Sequence, residues 1–140
     1  MDRADDLICN QIVEVLKQNE YMQFLGIEIM DISLGYCKGR MKVSDKIKNP
    51  YGTLHGGSLY SMADIIGGTA ACTYGKYVTT VSGSMNFMQP AAGTEYVYCD
   101  AKVVRQGNHL AVYDIAMSDD EGQILENASF TFFVTNNNVI

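Results

Sequence analysis

Gly57-Ser58-Leu59-Tyr60-Ser61-Met62-Ala63-Asp64-Ile65-Ile66-Gly67-Gly68-Thr69-Ala70-Ala71-Cys72-Thr73-Tyr74 is the stretch that decides the fold. Leu59, Tyr60, Met62, Ala63, Ile65, Ile66, Ala70 and Ala71 fall nearly all the way round a helix of 3.6-residue period, and a helix apolar all round is a buried one. The small residues from Gly67 to Ala71 let another backbone come close, at some cost in helix propensity. Strand-like segments follow near residues 78–88, 95–105, 110–118 and 124–135, with turns at Gly93, at Gly107-Asn108 and over residues 119–122. In the last segment Ile124, Glu126, Ala128, Phe130, Phe132 and Val134 share one face.

Upstream the period is mixed. Leu7, Ile8, Ile12, Val13, Val15 and Leu16 line one side of an amphipathic helix over residues 5–19, and residues 21–25 add a short turn before Gly26. Ile27, Ile29, Met30, Ile32 and Leu34 predict a strand with an irregularity near its middle. After Gly35, Lys38, Arg40 and Lys42 alternate with Cys37, Gly39, Met41 and Val43, the mark of a half-buried strand. These two strands form a hairpin, and a turn-rich loop fills residues 44–56. One buried helix cannot fill both faces of a sheet. The economical architecture is α+β: a curved antiparallel sheet wrapped around one long helix.

With 140 residues and 15.4 kDa, the chain reads as one domain over residues 1–140, with residues 1–25 as a helical N-terminal extension. Hydrophobic residues make up 47% and charged residues 19%, which excludes a disordered chain. The net charge of −6 and a pI near 4.7 argue against nucleic acid or an anionic membrane as partner. The acidic start, Met1-Asp2-Arg3-Ala4-Asp5-Asp6, has no apolar core of a secretion signal, and no apolar run reaches the roughly 18 residues of a membrane span. Cys9, Cys37, Cys72 and Cys99 form no CxxC pair, so the expectation is buried thiols in a cytoplasmic protein. Two histidines, His55 and His109, make a His/Cys zinc site an unfavourable reading, and no metal is expected.

Two features of residues 49–64 carry chemistry. His55-Gly56-Gly57 opens the buried helix, where backbone N–H groups point outward and the helix dipole favours negative charge. A carbonyl oxygen on its way to an oxyanion suits that place, and glycine lets it approach. Asp64 sits inside a helix that otherwise reads as buried; a carboxylate there is expensive unless paired or hydrogen-bonded. Each also has a plain structural reading. His55 can cap the loop, Gly56-Gly57 can be a tight turn, and Asp64 can be satisfied by backbone groups. Cys72 and Cys99 read as core, His109 as solvated, and Lys38, Arg40 and Lys42 as a wet strand face.

Helix geometry adds a constraint. Gly57 and Asp64 are seven residues apart, so they lie on nearly one face but about 10 Å apart along the axis. That is too far for both to act on one carbonyl carbon. If both act together, the carboxylate must come from a second chain. A two-fold dimer with antiparallel helices would set each Gly57 against the other chain's Asp64.

The pattern N-P-x-G-x-x-H-G-G-x-x-x-x-x-x-D over residues 49–64 is followed by Ser84-Met85-Asn86-Phe87-Met88-Gln89-Pro90-Ala91 and Val104-Arg105-Gln106-Gly107. Together these resemble the hotdog-fold acyl-CoA thioesterases, the phenylacetate-degradation (PaaI-like) branch most of all. The resemblance runs from about Phe24 to Val134. It implies a sheet wrapped around a helix, and dimers that often pair into tetramers. It implies Asp64 as the catalytic carboxylate and Gly57 as the donor of the N–H that polarises the thioester carbonyl. Asn49 and Thr80 would place water or substrate, and His55 would support the site. Ser82 and Ser84, sharing the alternation of Thr80, could face the same pocket. Lys102 and Arg105 are candidates for the phosphates of coenzyme A. Gln89 stands where a basic residue is common.

The implied reaction is hydrolysis of a small or medium acyl-CoA or aryl-acyl-CoA thioester to free acid and coenzyme A, with Asp64 as base or nucleophile. No cofactor is needed, since coenzyme A is part of the substrate. A hotdog hydratase or dehydratase is the alternative enzyme, but acid and histidine are not spaced for it. A non-catalytic acyl-CoA sensor is the other, yet Asp64 is retained. Ile65, Gly68 and Thr69 leave room for an acyl group without naming it.

Overall fold

The computed structural model describes residues 4–140; residues 1–3 of the acidic start lie outside the described residues. In chain order the elements are α1 (Ala4–Lys17), α2 (Glu20–Leu25), β1 (Ile27–Ser33), β2 (Tyr36–Lys42), a 3₁₀ turn (Asp45–Ile47), α3 (Gly56–Cys72), β3 (Lys76–Phe87), β4 (Tyr96–Gln106), β5 (Leu110–Ser118) and β6 (Ile124–Asn138). Each expected element is present, with ends shifted by at most three residues.

Local chemistry sets the boundaries. Asn49 aside, the helix ends show it best: the Asn19 side chain accepts from the Met22 N–H and starts α2, and Gly26 ends it at φ 77°, the left-handed conformation glycine adopts without strain. His55 caps α3. The irregularity expected in the first strand is a register shift between Ile29 and Asp31.

The six strands form one antiparallel sheet in the order β1-β2-β4-β5-β6-β3. Its inner face carries Cys37, Met41, Val97, Cys99, Tyr113, Phe130 and Phe132, all buried against Leu59, Met62, Ala63, Ile66 and Ala70 of α3. Burial of this apolar surface is the main driving force, at roughly 25 cal/mol per Å². The small residues do what the sequence implied. A Cβ on Gly67 would come within 2.8 Å of Ile115 Cδ1, and one on Gly39 within 2.5 Å of Ile66 Cδ1. Both glycines let helix and sheet approach.

Burial of α3 is incomplete, which corrects the expectation of a helix buried all round. Gly57 and Tyr60 are exposed, and Ser61, Asp64, Ile65 and Gly68 are half-buried. These positions recur every three to four residues and make one stripe that the sheet leaves partly open, with Tyr60 and Asp64 bonded to β3. α1 covers the far end of α3, where Ile12 and Cys72 pack with Val139. Tyr21 reaches Ser61, oxygen to oxygen, at 2.6 Å. All four cysteines are buried and free. Burial pushes the Cys37 thiol up to about 12 and the Cys99 thiol well above its usual value, so both remain unreactive. No helix is long and apolar enough to cross a membrane among the described residues.

Candidate active site

Asp64 lies on the open stripe of α3, half-buried rather than enclosed. Thr80 of β3 donates its hydroxyl to Asp64 Oδ1 at 2.5 Å. The pair adjoins a cavity of about 250 Å³ that also holds Ile65, Gly68 and Thr69, the positions read as room for an acyl group. The sequence missed its far wall. Ile12, Val15 and Leu16 of α1 close the cavity, and their helical spacing was legible, but not the surface they would cover.

At the other end of the stripe, His55 accepts the Gly57 N–H on Nδ1 at 2.9 Å. The Gly57 N–H is therefore capped, which corrects the expectation of outward-pointing N–H groups at this helix start. Gly57 itself is exposed, and the donor can be reached once His55 yields. Asn49 is also more occupied than expected. Its Oδ1 accepts from the N–H groups of Tyr51 and Thr53, and its Nδ2 donates to Thr53 Oγ1 at 2.8 Å. Asn49 thus ties the loop that delivers His55, as an Asx turn does.

The structure separates the remaining candidates from Asp64. β3 pairs Thr80 with Phe132 but Ser82 with Thr131, so Val81 is an extra residue in the ladder. A bulge reverses the inside–outside alternation beyond it. Thr80 faces α3, whereas Ser82 and Ser84 face away; Ser84 lines a hollow on the outer face together with Lys102. Shared alternation therefore does not bring Ser82 and Ser84 to the pocket of Thr80. Arg105 is exposed beside another register shift, between Val103 and Arg105, and does not line the Asp64 cavity.

The alternation of the last strand places one further carboxyl, Glu126, on the inner face. Glu126 is fully buried, and among the described residues neither of its oxygens has a hydrogen-bond partner. Burial pushes its carboxyl up to about 7. It lines a second cavity, of about 290 Å³, with Asn49 and Gly56. No cluster of three or more His, Cys, Asp or Glu side chains suited to a metal occurs among the described residues.

Residues 51–126 match the family model of the thioesterase superfamily, more than half of the chain. The chain belongs to the thioesterase superfamily. As a member it is a thioester hydrolase, and its sheet and helix are those of the hotdog fold. The chain is 28% identical over 97 residues to the acyl-coenzyme A thioesterase PaaI of Escherichia coli, covering 69% of each protein. The solved E. coli PaaI from the phenylacetic acid degradation operon superposes with a TM-score of 0.89 at 21% identity, covering 94% of this chain and 96% of that one. A hypothetical thioesterase protein of Streptococcus pneumoniae, solved with coenzyme A, superposes with a TM-score of 0.83 at 26% identity, covering 90% and 98%. In this thioesterase the matched region begins just before the His55 cap and ends at Glu126, so it spans His55, Gly57, Asp64, Thr80 and Glu126, while Asn49 and the α1 residues that line the cavity lie outside it.

Proposed function

We propose that the protein hydrolyses acyl-CoA thioesters with small or medium apolar acyl groups, using active sites shared between two copies of the chain. The observation that carries this is a carboxylate on the open stripe of α3, held by Thr80, facing an apolar cavity. A cavity of 150 Å³ lined by apolar residues holds a benzene ring, so about 250 Å³ suits an aromatic ring or a short chain.

The carbonyl oxygen sits at the start of α3 and takes over the Gly57 N–H from His55. The helix dipole and that donor stabilise the charge growing on the oxygen. Asp64 of the second chain removes a proton from water, which adds to the carbonyl carbon; the C–S bond then breaks. Thr80 fixes the rotamer of Asp64, and Asn49 holds the loop that presents Gly57. Coenzyme A enters as part of the substrate, and the chemistry asks for no metal or redox cofactor.

Two observations support the dimer, and its pairing into a dimer of dimers follows the resemblance. Gly57 and Asp64 lie on one helix, two turns apart, too far to act on one carbon. β3 is a 12-residue strand at the edge of the sheet, and an edge of that length invites a partner. The four free, buried thiols suit a reducing, cytoplasmic setting.

The test is release of free thiol across a panel of aliphatic and aromatic acyl-CoA thioesters, by the wild type and by Asp64→Asn. The variant is expected to fold and to lose about 10²-fold or more in kcat, as for a positioned base. A folded Asp64→Asn protein with wild-type turnover on its best substrate would sink the assignment.

A further inference from the structure

Glu126 has no structural use that its surroundings explain. Its carboxyl is 0% exposed and unpartnered in a fold whose other buried polar side chains, Ser58, Thr69 and Thr73, are all hydrogen-bonded. A buried polar group is costly when left unpaired, so it needs a partner in the working protein. The cavity beside it has room for water and is also lined by Gly56, one residue from the amide proposed to hold the thioester carbonyl. Leu59 and Phe87 make the walls apolar; Asn49 and Gln89 are the polar side chains there.

Among the described residues no charge faces Glu126 across this space. β4 brings Cys99, held neutral by burial. β5 brings Met117, its register partner, and β3 brings Phe87. The loops bring uncharged Asn49 and Gln89, and α3 brings Gly56 and Leu59. Nothing in this set favours the ionised form, so the carboxyl keeps its proton to about neutral pH.

We propose that Glu126 stores a proton and passes it, through water in this cavity, to the sulfur as the thioester C–S bond breaks. This rests on the thioesterase reading above. The electron pair of the C–S bond goes to sulfur, and the proton from Glu126 makes the free thiol. The proton that Asp64 took from the attacking water returns through solvent to Glu126. One water and one thioester thus give one acid and one thiol, with both carboxyls restored. Glu126 acts through water and is a positioning residue for the proton.

The test compares wild type and Glu126→Gln on two thioesters of one acyl group. One carries coenzyme A. The other carries an acidic aryl thiol, which leaves as the thiolate without needing a proton. On the CoA ester the variant is expected to lose about 10²-fold in kcat with KM little changed, and to lose the alkaline limb of the kcat–pH profile. On the aryl ester the loss should largely vanish. Equal losses on both esters, or an alkaline limb retained in the variant, would overturn the proposal. Infrared titration gives a readout independent of turnover: wild type should show a protonated-acid carbonyl band at neutral pH that Glu126→Gln lacks. Absence of that band from wild type would also overturn it. A wild type inactive on every acyl thioester would overturn the functional reading and this role together. Full activity with unequal losses would support both.

Discussion

At the scale of single residues, two carboxyls of the fold sit in different surroundings. Asp64 is half-buried and accepts a hydrogen bond from Thr80. Glu126 is enclosed and unpartnered, which favours its neutral form. The difference has a consequence for stability. Below about pH 4.5 both folded and unfolded chains hold the Glu126 proton, and the group contributes nothing. Between that value and about 7 the unfolded chain ionises while the folded one does not, so wild-type stability falls as pH rises. Above about 7 the loss is complete, at up to about 3 kcal/mol. Glu126→Gln lacks this group. Thermal unfolding measured from pH 4 to pH 8 should therefore show the variant gaining on wild type as pH rises. A constant difference across that range would show that Glu126 ionises freely in the folded protein.

At the scale of elements, the first turn of α3 joins local propensity to chemistry. A Cβ at Gly57 would lie 3.2 Å from His55 Nδ1, close enough to push the exposed imidazole aside. Losing that cap costs about 1 kcal/mol, and alanine returns up to about the same in helix propensity. Gly57→Ala should thus melt near the wild-type temperature. Its kcat/KM should fall by about tenfold or more, because the methyl group blocks the carbonyl's approach to a donor of the oxyanion-hole kind. Paired kinetics and unfolding on this variant decide it: retained activity, or a loss explained by melting, moves the carbonyl site elsewhere. The bulge at Val81 is the other element that shapes the site. It turns Thr80 inward while Gly83 and Met85 continue the inner face beyond it. Without the extra residue, a strand aligned for Gly83 and Met85 would aim Thr80 at solvent.

At the scale of the whole molecule, the stripe on α3 and the edge of β3 lie open in one chain. Covering both with a second copy would bring each Gly57 to the other chain's Asp64. A mixing experiment checks this. Asp64→Asn and Gly57→Ala proteins, each impaired alone, are unfolded together and refolded. Hybrid dimers then carry one intact site, and random pairing should restore about a quarter of wild-type activity. No recovery, with hybrids demonstrated by mass, would mean that each site is built within one chain.

Much of this was determined by the sequence alone. Helix and strand period, the capping position of His55, the small residues that let α3 approach the sheet, and the spacing of Gly57 from Asp64 are all local or arithmetic properties, readable without coordinates. The match of residues 51–126 to a family adds the chemistry class. What the chain could not reveal in one dimension were matters of register and enclosure. One extra residue at Val81 sends Ser82 and Ser84 to the outer face, because strand alternation has a period of two and a single insertion inverts it. α1 closes the cavity beside Asp64, although nothing in its own pattern names the surface it covers. Glu126 sits in a strand that reads correctly as inward-facing. Only the packing of α3, β3 and two loops over it removes every partner for its oxygens. Desolvation is a property of everything that surrounds a group, so only the tertiary structure decides it.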